Sequence, residues 1–240
     1  KYLTVVVDHD SGRLVWAHPG RERATVRAFF DALEASGAGR CAQITHVTAD
    51  GAPWIAEVVS DRCPDAIRCA DPFHVVGWAT DALDAVRRQA WTNARRGGHT
   101  RSHGWAHGRP ATISTGPALA LLRARYALWK NPENLTDRQR AKLAWIATTD
   151  PQLYRAYLLK EGLRTVFKLP VDQAGEALDR WIAWARRSRI DSFVKLQRRI
   201  SAHRTQILAT IEHGLPNGLI ESVNTKIRLI TRIAFGFANP

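Results

Sequence analysis

Two segments in the first half of the chain share a pattern in which a short strand-forming run ends at an aspartate and a proline opens a helix soon after. Residues 43–49, QITHVTA, alternate like a strand and end at Asp50, and Pro53 then lies in the first turn of PWIAEVVSDR. Residues 66–70, AIRCA, end at Asp71, before a helical stretch from Phe73 to about Arg95. Strands that alternate with helices predict a sheet with parallel elements.

The residues that precede this pattern predict a β-hairpin followed by a helix. Residues 2–7, YLTVVV, are β-branched, residues 8–12, DHDSG, favour a turn, and residues 13–17, RLVWA, are typical of a returning strand. From Glu22 to Ala35 the apolar residues recur at helical spacing. The predicted order, ββαβαβα, indicates an α/β fold.

Composition changes near Arg95, and the rest of the chain is predicted to be helical. Residues 97–116 are rich in Gly, Arg and His without an apolar period, which predicts a linker. Further on, Thr136 with Gln139 predicts a capping box, and Asp150 before Pro151 is predicted to cap a helix. Asp191 is predicted to cap a helix through His213, which Gly214 ends. We therefore divide the chain into residues 1–96, the linker 97–116, the helical segment 117–213 and a C-terminal segment 214–240.

The charge of the chain indicates a polyanionic partner. Its 35 Lys and Arg against 22 Asp and Glu give a net charge of +13, and nucleic acid is the usual partner of so basic a protein. The alternative is an arginine-rich composition without functional meaning.

Three cysteines without C-x-x-C spacing favour a reducing compartment over disulfides or zinc, and the lack of a long apolar run predicts a cytoplasmic protein without a membrane partner.

Asp50 and Asp71 both follow strands that should run parallel. The carboxyl ends of such strands share one edge of the sheet, where ligands bind, and paired carboxylates suit Mg²⁺. The alternative is that each aspartate only caps the following helix. Position alone does not decide between the two interpretations.

A predicted final helix, from about Leu219 to Ala234, carries a third acidic residue. At 100° per residue five apolar residues fall on one narrow arc, and Glu221 lies on the adjoining face near Arg228 and Arg232. Such a face could give a carboxylate to a metal while the arginines hold DNA phosphates. A solvated surface is the alternative. The apolar arc consists of Ile220, Val223, Ile227, Ile230 and Ala234.

Three runs carry a resemblance to a known family: VTADGAPW, CADPFHVV and NGLIESVNTKIRLITRIAFGF. They resemble the transposases of ISL3-type insertion sequences, and the resemblance extends over essentially the whole chain. It implies an RNase H-like mixed sheet with a large all-helical insertion, so that segments 1–96 and 214–240 belong to the catalytic core. It also implies an Asp, Asp, Glu triad that binds two Mg²⁺ ions, with Mn²⁺ as a substitute.

The resemblance assigns roles to individual residues. Asp50 matches the second acid and Glu221 the third, which makes both metal ligands, while Asp71 and His74 match a D-x-x-H element that assists at the active site. The residues expected to contact DNA are Trp54, Lys226, Arg228 and Arg232. The implied activity is cleavage and strand transfer of double-stranded DNA at transposon ends and target, by a homo-oligomer.

The chain also departs from the family pattern. The first catalytic Asp should lie on a strand before YLTVVV, and that strand is absent from the sequence. We interpret Asp8 as a turn residue rather than a substitute, and expect a truncated form that does not cleave DNA alone. The four strands should share one sheet, with a gap or a direct antiparallel pairing where the first strand would lie. The alternatives are an inactive remnant that only binds DNA and an unrelated RNase H-like nuclease.

Overall fold

The computed structural model describes residues 2–49, 51–99 and 117–214. These residues form a mixed α/β protein that is mostly helical and contains two small sheets. The chain divides into two compact units, one made of Lys1–His74 with Thr205–Pro240 and the other of Val75–Arg204. Most of the predicted linker and all of the predicted final helix lie outside the described residues. Within them, no helix is both long and apolar enough to cross a membrane.

The first unit opens with the predicted hairpin. Strands β1 (Leu3–Val7) and β2 (Leu14–Pro19) pair antiparallel, and helix α1 (Arg23–Ala35) follows. Asp8 holds the turn between the strands, because its carboxylate accepts the backbone N–H groups of Asp10 and Ser11, each at 3.2 Å. The Ser11 hydroxyl also donates to it and lowers the pKa of Asp8. This geometry confirms Asp8 as a turn residue.

The second pair of strands confirms the predicted parallel pattern. Strand β3 (His46–Ala49) leads through helix α2 (Pro53–Arg62) to strand β4 (Ile67–Ala70), and β3 and β4 pair in parallel. Pro53 opens α2 as expected, since its ring fixes a helical φ and its missing N–H has no helical partner to lose there. The ladder ends with Ala49 opposite Ala70. Position 71 therefore directly follows the end of this ladder.

The prediction that all four strands share one sheet is wrong in the described part of the chain. The strands form two separate pairs, β1 with β2 and β3 with β4, without a ladder between them. A ladder requires strands about 4.8 Å apart. Side-chain packing on α1 takes its place, because the ring of Phe29 lies 5.7 Å from that of Trp16 in β2, and Val47 in β3 packs against the same core. The direct antiparallel pairing expected as one arrangement between these strands is not formed among the described residues.

The core of the first unit lies between α1, α2 and β3. Five residues form its buried centre: Phe30, Cys41, Val58, Val59 and Cys63. All three cysteines are free and buried, in agreement with the prediction of no disulfide. Helix α10 (Arg204–His213) is followed by Gly214, whose φ of 58° is the left-handed conformation that glycine adopts most easily after a helix.

The described part of the second unit is helical. Helix α3 (Pro72–His99) enters it at Val75, and the remaining elements are α4 (Pro117–Leu122), α5 (Arg125–Trp129), α6 (Asp137–Thr149), α7 (Pro151–Val166), α8 (Val171–Arg187) and α9 (Asp191–Ala202). The capping box is confirmed, because Thr136 accepts the Gln139 N–H and the Gln139 side chain accepts the Thr136 N–H. Asp150 caps α7 as predicted, by accepting the Leu153 N–H at 2.9 Å.

The helix predicted from Asp191 to His213 is not continuous. Helix α9 ends at Ala202, and His203 has φ −104° and ψ 12°, outside the helical region. The His203 ring instead packs on Trp78, with ring centroids 5.3 Å apart, a tertiary contact that local periodicity does not reveal. Asp191 is the first residue of α9 rather than its cap, and it forms an ion pair with Lys195 at 2.8 Å. Both parts of that prediction are therefore wrong.

Candidate active site

Asp71 lies between the last residue of β4 and the first residue of α3. Its side chain is only 5% exposed, and its Oδ1 accepts the backbone N–H of Phe73 at 2.9 Å. An aspartate before Pro72 suits this position, since its carboxylate satisfies a backbone donor that the first turn of a helix leaves without a partner. Asp71 therefore does cap the start of α3.

The second carboxylate oxygen of Asp71 serves a different partner. Oδ2 contacts Nδ1 of His74, one helical turn further along α3. The Asp71 side chain is buried, whereas the His74 side chain is 43% exposed. A carboxylate that accepts from Nδ1–H fixes the ring tautomer and leaves Nε2 as the acceptor nitrogen of a neutral imidazole. The pair thus combines a buried acid with an accessible histidine whose orientation that acid sets.

Helix α10 holds the end of β4 that carries Asp71. The Thr210 hydroxyl donates to the Ala70 carbonyl at 2.6 Å, and Thr210 is only 4% exposed. The neighbouring Cys69 thiol is buried. Burial raises the pKa of Cys69, so this thiol is a structural group rather than a nucleophile. Sequence analysis missed Thr210, because its partner is 140 residues away and no local pattern connects them.

The described residues do not form a magnesium site by themselves. Within the described ranges, no group of three or more His, Cys, Asp or Glu side chains could hold a metal ion. Asp71 already uses one oxygen on Phe73 and the other on His74. Both predicted metal ligands, Asp50 and Glu221, lie outside the described residues, so their convergence with Asp71 and His74 stays a prediction.

The residues predicted to contact DNA are mostly beyond the described ranges. Lys226, Arg228 and Arg232 lie outside them. Trp54 is described, and it lies half-buried in the first turn of α2. Its role in DNA binding stays a prediction.

Comparison with known proteins identifies the family. A family model described as a transposase, of the DDE type and the ISL3 group, matches residues 1–240. The transposase for insertion sequence element IS1557 from Mycobacterium tuberculosis is 63% identical over 245 residues, which cover 100% of this chain and 54% of the relative. The transposase for insertion sequence element IS1001 from Bordetella parapertussis is 28% identical over 240 residues, which cover 99% of this chain and 54% of the relative.

The chain spans about half the length of these curated relatives, 54% in each case. No solved structure matches it significantly. The family model nevertheless covers the chain from end to end, including the three runs that first suggested the resemblance. The chain therefore belongs to the ISL3-type family of transposases.

Proposed function

We propose that this chain carries catalytic residues of a DNA transposase that cleaves insertion-sequence DNA and joins it to a target. The observation that carries the proposal is the Asp71–His74 pair at the carboxyl end of β4, in a chain that belongs to a transposase family. Ligands bind at this edge of an open α/β sheet. The parallel pair β3–β4 and the helical second unit support an RNase H-like core with a helical insertion, which we also propose.

The metal ligands that we propose are Asp50 and Glu221. Ala49 and Ala70 are partners at the end of the β3–β4 ladder. Asp50 and Asp71 are the next residues in the chain after them, which favours one shared edge of the sheet for the two acids. Carboxylates are suitable ligands for Mg²⁺, with Mn²⁺ as its substitute. When bound, such ions would activate a water or a 3′-hydroxyl and stabilise the leaving oxygen of the phosphodiester.

Asp71 and His74 have separate roles in this proposal. Asp71 is a positioning residue, because its two oxygens fix the start of α3 and the His74 ring. The accessible imidazole of His74 then accepts a hydrogen bond from the attacking hydroxyl or from a water near the phosphate, and so orients it. Neither residue needs to bind metal for this role.

The experiment is end nicking of a labelled duplex that carries the termini of the insertion sequence, by the complete protein that the reading frame encodes. We expect Asp50→Asn and Glu221→Gln to abolish nicking while DNA affinity stays within about twofold, since a lost carboxylate removes a preorganised interaction that is worth several kcal/mol. His74→Ala should slow nicking by about 10²-fold, a usual size for a lost proton-transfer or positioning group.

The matched control is Asp8→Asn, because Asp8 belongs to an exposed turn of the same unit and should leave nicking unchanged. Wild-type nicking rates in Asp50→Asn or Glu221→Gln would overturn the proposed ligands. DNA binding without nicking by the complete wild-type protein would instead support the alternative, an inactive remnant that only binds DNA. Retention of full nicking in His74→Ala would remove the role proposed for the Asp71–His74 pair.

The partner in this proposal is double-stranded DNA, and the active complex is a homo-oligomer in the cytoplasm. The net charge of +13 supports the choice of DNA, because Lys and Arg side chains that neutralise phosphates release counterions. The logarithm of affinity should then fall linearly with the logarithm of salt concentration, with a slope of about −0.9 per phosphate contact. A slope of zero would exclude DNA as the partner.

A further inference from the structure

The turn between α8 and α9 is short and well anchored. Helix α8 ends at Arg187 and α9 begins at Asp191, so only three residues connect them. Ser188 and Ile190 are buried, with exposures of 4% and 2%. The Ser188 hydroxyl donates to the Ala185 carbonyl at 2.7 Å and accepts the Ile190 N–H at 3.2 Å. These bonds fix the backbone on both sides of the exposed Arg189.

Arg189 adopts a backbone conformation that is unusual for its residue type. Its φ is 57°, and no other non-glycine residue in the described ranges has a positive φ. Glycine adopts this left-handed conformation at little steric cost and is the common residue just after a helix, whereas a side chain makes it unfavourable. An arginine here exposes a guanidinium group on a fixed turn, at a position where glycine would fit the backbone better.

Three further arginines surround this turn, and we call the four residues Arg155, Arg186, Arg187 and Arg189 the arginine corner. All four are exposed. Arg155 reaches the turn from α7, since its Nη1 donates to the Ser188 carbonyl at 3.3 Å. Arg187 donates from Nε to the Ala183 carbonyl at 3.2 Å, so this bond uses one of its five guanidinium donors.

The arginine corner is not neutralised by acidic side chains. Among the described residues, none of its four guanidinium groups forms an ion pair with a carboxylate, and the nearby Asp191 pairs with Lys195 instead. Other arginines of this unit do have such partners, for example Arg88 with Asp84 and Arg180 with Glu176. Positively charged side chains interact favourably with the C-terminal end of a helix, which can explain Arg186 and Arg187 in the last turn of α8. This interaction does not explain Arg189, whose backbone conformation is unfavourable.

We propose that the arginine corner binds the phosphate backbone of double-stranded DNA, as a contact surface in the helical unit. The proposal rests on the function proposed above, that the protein acts on DNA. Guanidinium groups match phosphate oxygens with two parallel hydrogen bonds, and the fixed backbone of this turn needs little further ordering on binding. Such contacts position DNA without reading its sequence.

The test measures the affinity of the chain for a labelled DNA duplex by fluorescence anisotropy at several salt concentrations. The variant is R186Q/R187Q/R189Q. We expect it to bind at least about tenfold more weakly at low salt, and the salt slope to become shallower by about 0.9 for each lost phosphate contact. The matched control is R88Q/R140Q/R180Q, which removes the same number of charges from exposed arginines of this unit that are paired with acids.

Equal loss of affinity in the two triple variants would overturn the proposal, because binding would then follow net charge alone. Absence of salt-dependent binding by the wild-type chain would contradict the DNA partner itself, which separates failure of the proposed function from failure of the corner. Arg189→Gly provides a variant that keeps the turn. It should unfold no more readily than wild type and still bind DNA more weakly, and unchanged affinity would remove Arg189 from the surface.

Discussion

The Thr210 hydroxyl donates a hydrogen bond of 2.6 Å to the backbone carbonyl of Ala70, a residue 140 positions earlier in the chain. The bond joins α10 to the end of β4, directly before Asp71. The same hydroxyl lies 2.8 Å from the Gln206 carbonyl of its own helix, so one proton is shared between two acceptors. Thr210 is buried, and water does not readily replace this contact.

Replacement of Thr210 by valine should therefore destabilise the protein. Valine has nearly the same shape but no hydroxyl, which leaves the buried Ala70 carbonyl without this donor at a cost of about 1–3 kcal/mol. Urea unfolding gives the free energy of unfolding. Thr210→Ser should retain more of the stability than Thr210→Val does, and Thr205→Val, at an exposed position of the same helix, should change it by less than about 0.5 kcal/mol. Equal effects of Thr210→Val and Thr205→Val would contradict the importance of this bond.

Glu133 should make the stability of the protein depend on pH in the acid range. Its carboxylate accepts two bonds from Arg164, at 2.9 and 3.0 Å, and these lower the pKa of Glu133 to about 2. A carboxyl group whose pKa is lower in the folded state stabilises that state above its unfolded pKa of about 4.3. This contribution is lost as the pH falls from about 5 towards 2.

Urea unfolding at a series of pH values measures this dependence. The free energy of unfolding of the wild-type protein should decline as the pH falls, and Glu133→Gln should remove the part of this decline that Glu133 causes. The plot of unfolding free energy against pH should then be flatter for the variant between about pH 5 and pH 2. Glu176→Gln is a suitable control, because Glu176 pairs with Arg180 on an exposed surface of one helix. If Glu133→Gln has the same pH dependence as wild type, the Arg164 bonds do not persist in solution.

Gly162 allows helices α7 and α8 to approach closely. A Cβ atom at this position would lie 3.3 Å from Cδ1 of Trp181 and 3.4 Å from Cζ3 of Trp184. Trp181 has little freedom to move, since it is 3% exposed and its indole N–H donates to the Leu159 carbonyl at 2.7 Å. Gly162→Ala should therefore lower the free energy of unfolding by about 1 kcal/mol, because overpacking outweighs the better helix propensity of alanine.

Gly77→Ala is the matched control for this substitution. Gly77 also lies within a helix, but a Cβ atom there would meet nothing within 4 Å. The higher helix propensity of alanine should then raise the free energy of unfolding by about 0.5–1 kcal/mol. Opposite signs in the two variants, measured by the same urea titration, would confirm that contact with the indole rings decides the outcome. A gain in stability at both positions would show that α7 and α8 have room to separate.

The cysteines should react with thiol reagents only after unfolding. All three are buried, and burial is the main reason that the pKa of Cys63 rises to about 11. At pH 8 the native thiolate fraction of Cys63 is then about two orders of magnitude below that of a free cysteine. Labelling with a chromogenic disulfide should be slow in buffer and complete within seconds to minutes in denaturant. Rapid labelling of one or more thiols in the native protein would contradict this burial.

The amino-acid sequence by itself determined the local structure. The hairpin turn at Asp8, the start of α2 at Pro53 and the capping box at Thr136 depend on residues within a few positions of each other, so short sequence patterns predict them. Strands β3 and β4 were predictable in the same way, and so was their parallel pairing, since one helix connects them. The family, too, followed from three runs of sequence.

The tertiary structure decided what depends on distant residues. The separation of the strands into two pairs follows from packing on α1, and α9 ends where the His203 ring packs on Trp78. At the candidate site the sequence supplied Asp71 and His74, but only the folded chain shows that one is buried, the other accessible, and that Thr210 holds the strand end before them. Most of these contacts join residues that are far apart along the chain, and a local sequence pattern does not reveal such pairs. Side-chain packing and burial form only when the chain is folded.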